Sequence, residues 1–332
     1  MRYLVGLDLG GTHIVCGLLD LNGNPVAMLK RLTRAEQGAE AVLERMASMV
    51  QETAAGHGVS LTDIITVGAG IPGIVNPETG VSVQASNLGW SNIPVAAALA
   101  AKLGLPVHID NDVKMYVYGE AVAGAGRNDK HVFGVTIGTG IASAMINEGN
   151  IYYGAQFYAG EFGHIPLDGN DLPCKCGLRG CLETLVSANG IAAQAKRAVS
   201  SGRMLAGRQS DVEQITARDV SEACAEGDPL AKEIMDFTGA TLGKALAAAV
   251  PLLSPDVIII GGGGAMAGES LFRPLRETLF GRLHNKFRER VRIEPAQHME
   301  EAGVIGSAIR AYERQQHAER KSDMNEGGIL ND

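Results

Sequence analysis

The sequence predicts a duplicated α/β fold, two βββαβαβα-like halves around a cleft. Three observations predict it. Each half opens with apolar strands joined by a glycine turn, Gly10-Gly11 in the first and Gly138-Thr139-Gly140 in the second. Each then alternates strand and helix patterns. The glycines, 43 in 332 residues, exceed the usual ~7% and gather at strand ends, where backbone amides can approach a ligand closely.

In the first half, 3–9 reads as a buried strand, 14–20 as a second after a tight GGT turn, and 24–30 as a third after LNGN. Apolar spacing of three and four marks 36–55 as a helix, and 64–70 is a strand ending in GIPG. A helix over 94–103 leads to a short strand, 107–109, after which Asp110-Asn111-Asp112 opens another helix. In the second half, 131–137 and 142–146 are strands across the GTG turn and 150–153 is a third. Helices follow near 187–200, 216–226 and 230–253, then a strand, 257–260, running into Gly261 to Gly264. A helix over 269–282, a strand over 291–294 and a helix over 301–314 complete the pattern. The expected division is 1–120 plus 303–315 for one lobe and 121–302 for the other, with 316–332, polar and aperiodic, as a disordered tail.

Composition narrows the class. Hydrophobic residues at 45% and charged residues at 20% are ordinary for a soluble chain. A formal charge of −8 without a basic cluster speaks against general nucleic-acid binding. The N-terminal MRYLVGLDLGG lacks the features of a signal peptide, and no apolar run has membrane-spanning length. The expectation is a cytoplasmic protein with no membrane partner.

Three of the five cysteines fall in CKCGLRGCLE, Cys174 to Glu183. With His164 of EFGH, the thiols of Cys174, Cys176 and Cys181 form a claw for a soft tetrahedral ion, with zinc as the expected occupant. Four protein ligands leave no position for water, so the ion would be structural and a zinc hydrolase is disfavoured. A disulfide and a set of unrelated thiols remain the alternatives, weakened by the isolation of Cys16 and Cys224 and the lack of an export signal.

Asp8-Leu9-Gly10-Gly11-Thr12 puts a carboxylate at a strand end beside two glycines and a hydroxyl, a pattern suited to Mg²⁺-phosphate. Gly138-Thr139-Gly140 repeats the device, while plain hairpin turns would explain the glycines alone. Gly261, Gly262 and Gly263 could let an adenosine lie against bare backbone. No Walker motif is present: Gly239 to Lys244 has the wrong spacing and sits in a helical pattern. At a strand-to-helix junction, Asp112 could take the proton of a sugar hydroxyl attacking ATP, with helix capping the competing role for Asp110, Asn111 and Asp112.

Taken together, DLGGT, GAGIPG, SNLGW, DND, GTGI, AGEFGHI, CKCGLRGCLE and the final GGGG resemble the ROK family of sugar kinases and repressors, its bacterial glucokinases in particular, over residues 5 to about 310. The EFGH and CxCGxxGCxE pair is the specific part; the glycine turns are shared with all actin-like and hexokinase-like ATPases. The resemblance implies a duplicated actin-like, RNase H-like ATPase fold of hexokinase type. It implies Asp112 as catalytic base, with Asn111, Glu161, His164 and Glu183 as sugar-hydroxyl contacts and Gly70 and Gly73 in the loop under the sugar. It further implies Asp8, Gly10, Gly11, Thr12, Gly138, Thr139 and Gly140 as phosphate and Mg²⁺ turns, and Gly261, Gly262 and Gly263 as nucleotide-binding.

The activity so implied is phosphorylation of the 6-hydroxyl of glucose by Mg-ATP, in a homodimer or dimer of dimers. Allose, mannose, fructose or an N-acetylated hexosamine would fit the same motifs. A sugar-responsive repressor would carry a helix-turn-helix domain ahead of the core, yet the first strand starts at Tyr3; a non-catalytic sensor is a further alternative. Two departures stand out. Ala142-Ser143-Ala144 follows GTGI where family kinases often have further glycines, and Lys114 stands where they often have asparagine. Lys114 reads either as a solvated helix residue or as added charge near the cleft.

Overall fold

A computed structural model describes residues 1–205 and 211–327, with the backbone alone over 322–327. The chain forms two units: Met1–Arg127 with Tyr153–Tyr158 and the segment from Glu300 onward, and Asn128–Tyr152 with Ala159–Met299.

In the first unit, strands β1 (Tyr3–Leu9), β2 (His13–Leu19) and β3 (Pro25–Leu32) make an antiparallel meander, followed by helix α1 (Ala39–Gly56) and strand β4 (Ile64–Ile71). Three short strands, β5 (Ile74–Asn76), β6 (Val81–Ala85) and β7 (Trp90–Ile93), form a separate antiparallel sheet that the sequence reading leaves as loop. They are too short to show alternation. Helix α2 (Val95–Leu103), strand β8 (Val107–Asn111) and helix α3 (Asp112–Ala123) follow. The main sheet has the order β3-β2-β1-β4-β8, with β1, β4 and β8 parallel.

In the second unit, β9 (His131–Ile137), β10 (Ile141–Asn147) and β11 (Asn150–Ile151) repeat the meander. Helices α4 (Glu183–Val186), α5 (Ala188–Ser200), α6 (Ala217–Ala225) and α7 (Pro229–Leu253) lead to β12 (Val257–Gly261), α8 (Glu269–Arg282), α9 (Asn285–Arg288) and β13 (Arg292–Pro295). The order β11-β10-β9-β12-β13, again with the last strands parallel, repeats the first sheet position for position. The duplication expected from the glycine turns is therefore present in topology. β12 is buried along its whole length, as a central parallel strand must be.

Helix α10 (Ala302–Gly327) returns to the first unit and packs on β1, β4 and α3. It continues well past Arg314, through residues expected to be a disordered tail; 328–332 lie outside the described residues. The apolar period fades there, but Glu, Arg, Gln, Lys and Ala are strong helix formers in their own right. Gln315 Nε2 also donates to Glu319 Oε1 at 2.9 Å, an i,i+4 pair along one face. The expected boundaries at 120 and 302 omit one event that periodicity cannot reveal, the brief visit of Tyr153–Tyr158 to the first unit.

The α10 contact is backbone against backbone. A Cβ added at Gly6 would stand 2.0 Å from Val304 O, and one at Gly68 only 1.8 Å from Ser307 O. In the second unit Gly239 and Gly243, once weighed as a phosphate loop, lie inside α7 against the main chain of α8, which is the packing reason for their spacing.

Because neither backbone can yield, Gly68→Ala is expected to destabilise by about 3 kcal/mol, seen as a lowered urea midpoint. Gly281→Ala on α8 is the control: its methyl would meet nothing within 4 Å, and it should stabilise by about 0.4–1 kcal/mol.

Candidate active site

In the first unit, pairing of the parallel strands sets Asp8, Gly70 and Asp110 side by side at the carboxyl edge of β1, β4 and β8. Ligands of open α/β sheets bind at such edges. Gly10, Gly11 and Thr12 form the β1–β2 turn, closed by Gly10 N donating to His13 O at 2.8 Å. Asn111 ends β8 and caps α3: its Oδ1 accepts from Lys114 N at 2.9 Å. Its Nδ2 donates to Gly73 O and to Asp112 Oδ1, each at 3.0 Å. So the cap role in Asp110-Asn111-Asp112 falls to Asn111, and Asp112 is the first helical residue.

Asp112 Oδ1 also accepts from Val113 N at 2.8 Å. Among the described residues no hydrogen bond falls on Oδ2, which leaves that oxygen for a proton. Burial pushes the Asp112 carboxyl up to about 6, against the opposing pull of its backbone hydrogen bonds, Lys114 and Asn111. Asp8 is pushed up to about 7, by burial first and then by the charge of Asp112. Its carboxylate accepts no hydrogen bond among the described residues. A carboxylate held in that state is suited to a cation, and Asp8 fits a place in the shell of Mg²⁺.

In the second unit, the thiol cluster forms on irregular backbone between short glycine-rich turns. His164, Cys174, Cys176 and Cys181 place four ligand atoms within 4.8 Å of one another. Cys176 Sγ is 3.6 Å from Cys181 Sγ, and Cys174 Sγ is 3.7 Å from His164 Nδ1. Ligands at ~2.0–2.3 Å from one tetrahedral ion stand about 3.4–3.8 Å apart, so the set fits such an ion. All five cysteines are free thiols in this structure. The Cys181 thiol is pushed up to about 12, by burial first and then by its two thiol neighbours; a cation is what would let three thiolates share this space. The other ring nitrogen of His164, Nε2, lies 3.6 Å from Glu161 Oε2.

Glu183 joins this cluster to the GTG turn. Its Oε2 accepts from Ile141 N at 3.1 Å, and Cys174 Sγ lies 3.6 Å from its Oε1. Gly140 makes room for it, since a Cβ there would come within 2.3 Å of Glu183 Oε2. Gly160 is held by Ser143, whose N and Oγ both donate to its carbonyl at 2.8 and 3.1 Å. The serine that departs from the family pattern thus tethers the residue preceding Glu161.

A cavity of about 670 Å³ lies in the second unit beside this turn. Gly138, Thr139, Gly263 and Gly264 line it, and α6 supplies Arg218, Ser221 and Glu222. Gly261 completes β12 and Gly262 turns the chain at φ 75, so they shape the approach without lining it. The α6 wall went unread. The one available signal was Thr216 with Asp219, a capping box that fixes where the helix begins. Among the described residues no helix is long and apolar enough to cross a membrane.

The family model described as ROK family matches residues 4–314. A glucokinase of Halalkalibacterium halodurans is 32% identical over 325 residues, spanning 97% of this chain and 98% of that protein. A glucokinase of Thermotoga maritima is 32% identical, over 94% and 98%. The crystal structure of a ROK family glucokinase from Streptomyces griseus, in complex with glucose and AMPPNP, superposes with a TM-score of 0.81 at 29% identity, covering 94% of this chain and 99% of that one.

The thiol geometry predicts uptake of one divalent ion per chain. Co²⁺ added to metal-free protein should give the intense visible bands of a tetrahedral thiolate site, and Cys181→Ser should lose them. Octahedral, pale Co²⁺ in the unsubstituted protein would contradict the ligand set.

Proposed function

The chain belongs to the ROK family, and on that premise we propose that it is an ATP-dependent hexose kinase phosphorylating the 6-hydroxyl of glucose. The observation that carries the reading is the state of Asp112: one oxygen occupied by Val113 N and Asn111 Nδ2, the other open, and a carboxyl pushed up to about 6. A base of that strength is ionised at neutral pH and still holds a proton well. Asp112 Oδ2 takes the proton of the sugar hydroxyl as its oxygen attacks the γ-phosphoryl of ATP and ADP departs.

Asn111 fixes the rotamer of Asp112 and ties it to Gly73 O, so the base and the loop under the sugar keep one geometry. Gly138 and Thr139 offer backbone to the phosphates, and the 670 Å³ cavity has the size for an adenosine. Asp8 would hold Mg²⁺, which when bound supplies charge compensation for the phosphates. His164, Cys174, Cys176 and Cys181 would hold zinc, which supplies rigidity. Glu161, His164 and Glu183 contact sugar hydroxyls in this reading. Glu183 is held from two sides, by Ile141 N and by the thiol cluster, so the ion would set its orientation.

The test is ADP release with Mg-ATP against glucose, mannose, allose, fructose, N-acetylglucosamine and N-acetylmannosamine. Turnover on glucose is expected. Preference for another member keeps the mechanism and changes the substrate; sugar binding without turnover on any would make the chain a sensor. Asp112→Asn should lower kcat by roughly 10²–10⁴-fold while leaving sugar affinity nearly unchanged; turnover close to that of the unsubstituted protein would refute the base. With protonated Asp112 unable to accept, kcat/KM should fall as pH drops through about 6, and the same profile should be absent from the residual activity of Asp112→Asn.

A further inference from the structure

Lys114, the residue that departs from the family pattern, is not a solvated helix residue. It lies two positions after Asp112 on α3 with only 7% of its surface exposed. An ammonium so placed demands polar partners, and its Nζ donates to the carbonyl of Phe157 at 3.2 Å. Phe157 belongs to the strap Tyr153–Tyr158, which lies against β5 in the first unit.

The strap is strained and pinned. Gln156 and Phe157 have φ of 52° and 68°, left-handed backbone in two successive non-glycine residues, which persists only where the surroundings hold it. At its start, Tyr153 Oη donates to Asp110 Oδ2 at 2.5 Å, and Arg314 Nη2 donates to both, at 2.9 Å to Tyr153 and 3.1 Å to Asp110. The rings of Tyr153 and Phe157 meet edge to face at 5.8 Å. At its end, the pin is the Lys114 ammonium. Three residues beyond Tyr158 the chain reaches Glu161.

We propose that Lys114 is a positioning residue: by holding the Phe157 carbonyl it fastens the strap to the helix that opens with Asp112, and so fixes where the strap ends at Tyr158. The kinetic part of this inference rests on the hexose kinase reading; the mechanical part does not. A lysine that only supported α3 would affect melting and leave the strap and the sugar constants as they are.

The experiment compares Lys114→Met with the unsubstituted protein by hydrogen exchange and by steady-state kinetics. The Tyr158 amide, which donates to Ala155 O at 3.2 Å, should exchange roughly 10- to 100-fold faster, the loss expected for a hydrogen bond from a charged donor. KM for the sugar should rise about tenfold with KM for ATP unchanged, since about that much orientation is lost at one substrate only. Lys114→Arg, which keeps a charged donor, should recover part of both effects. Unchanged strap exchange, or equal changes in the two KM values, would overturn the proposal. Should Lys114→Met not fold, Lys114→Gln carries the same comparison with a shorter donor. Failure of the kinase reading would show separately, as an unsubstituted protein without turnover whose strap exchange still responds to Lys114.

Discussion

At Gly6 and Gly68 the main chain of α10 rests directly on the main chains of β1 and β4, and the first unit depends on that contact. Gly6 and Gly68 permit it, and their replacement by any larger residue would force the helix off the sheet. The contact has a consequence at the strand ends. Gly303, in the first turn of α10, stands so close to Asp8 that a Cβ there would lie 2.6 Å from the carboxylate. The same docking that completes the core therefore walls in the Asp8 carboxylate, and holds β1, β4 and β8 in the register that aligns Asp8, Gly70 and Asp110.

That arrangement is costly to the fold when no cation is present. Asp8 and Asp112 both ionise less readily folded than unfolded, with carboxyls at about 7 and about 6 against 3.8. Their contribution to stability is thus greatest below the unfolded value and is lost as pH rises through the folded values. A bound cation reverses the sign for Asp8, because it favours the ionised form. The thiol cluster follows the same logic with softer ligands: burial, and then its two thiol neighbours, push Cys181 up, and a bound ion would take that charge. Each metal-ready site is a place where the chain is less stable alone.

Much of this was legible in the residues. The two glycine turns announced both meanders, and the repeat of β3-β2-β1-β4-β8 as β11-β10-β9-β12-β13 is the duplication they implied. The thiol and histidine spacing brought four ligand atoms together. What stayed hidden was non-local or irregular. The strands β5, β6 and β7 have three to five residues each, too few to display a period. The bond from Tyr153 to Asp110 spans 43 positions and that from Arg314 spans 204, and no local pattern encodes such a partner. Lys114 reads either as a solvated helix residue, as lysine usually is, or as charge near the cleft; the position of Phe157, distant in sequence, shows a partner that holds it inside.

The first unit is discontinuous in sequence, and its last core element, α10, begins about 180 residues after α3 ends. During synthesis at about 5–20 residues per second, the face of β1 and β4 that α10 covers waits roughly ten to forty seconds for its partner. Over that interval the second unit can complete itself from nearly contiguous chain while the first remains a sheet with one uncovered apolar side, Leu4 and Leu19 among its residues. The nascent polypeptide therefore keeps a surface open to association with its neighbours until α10 has been made and has docked.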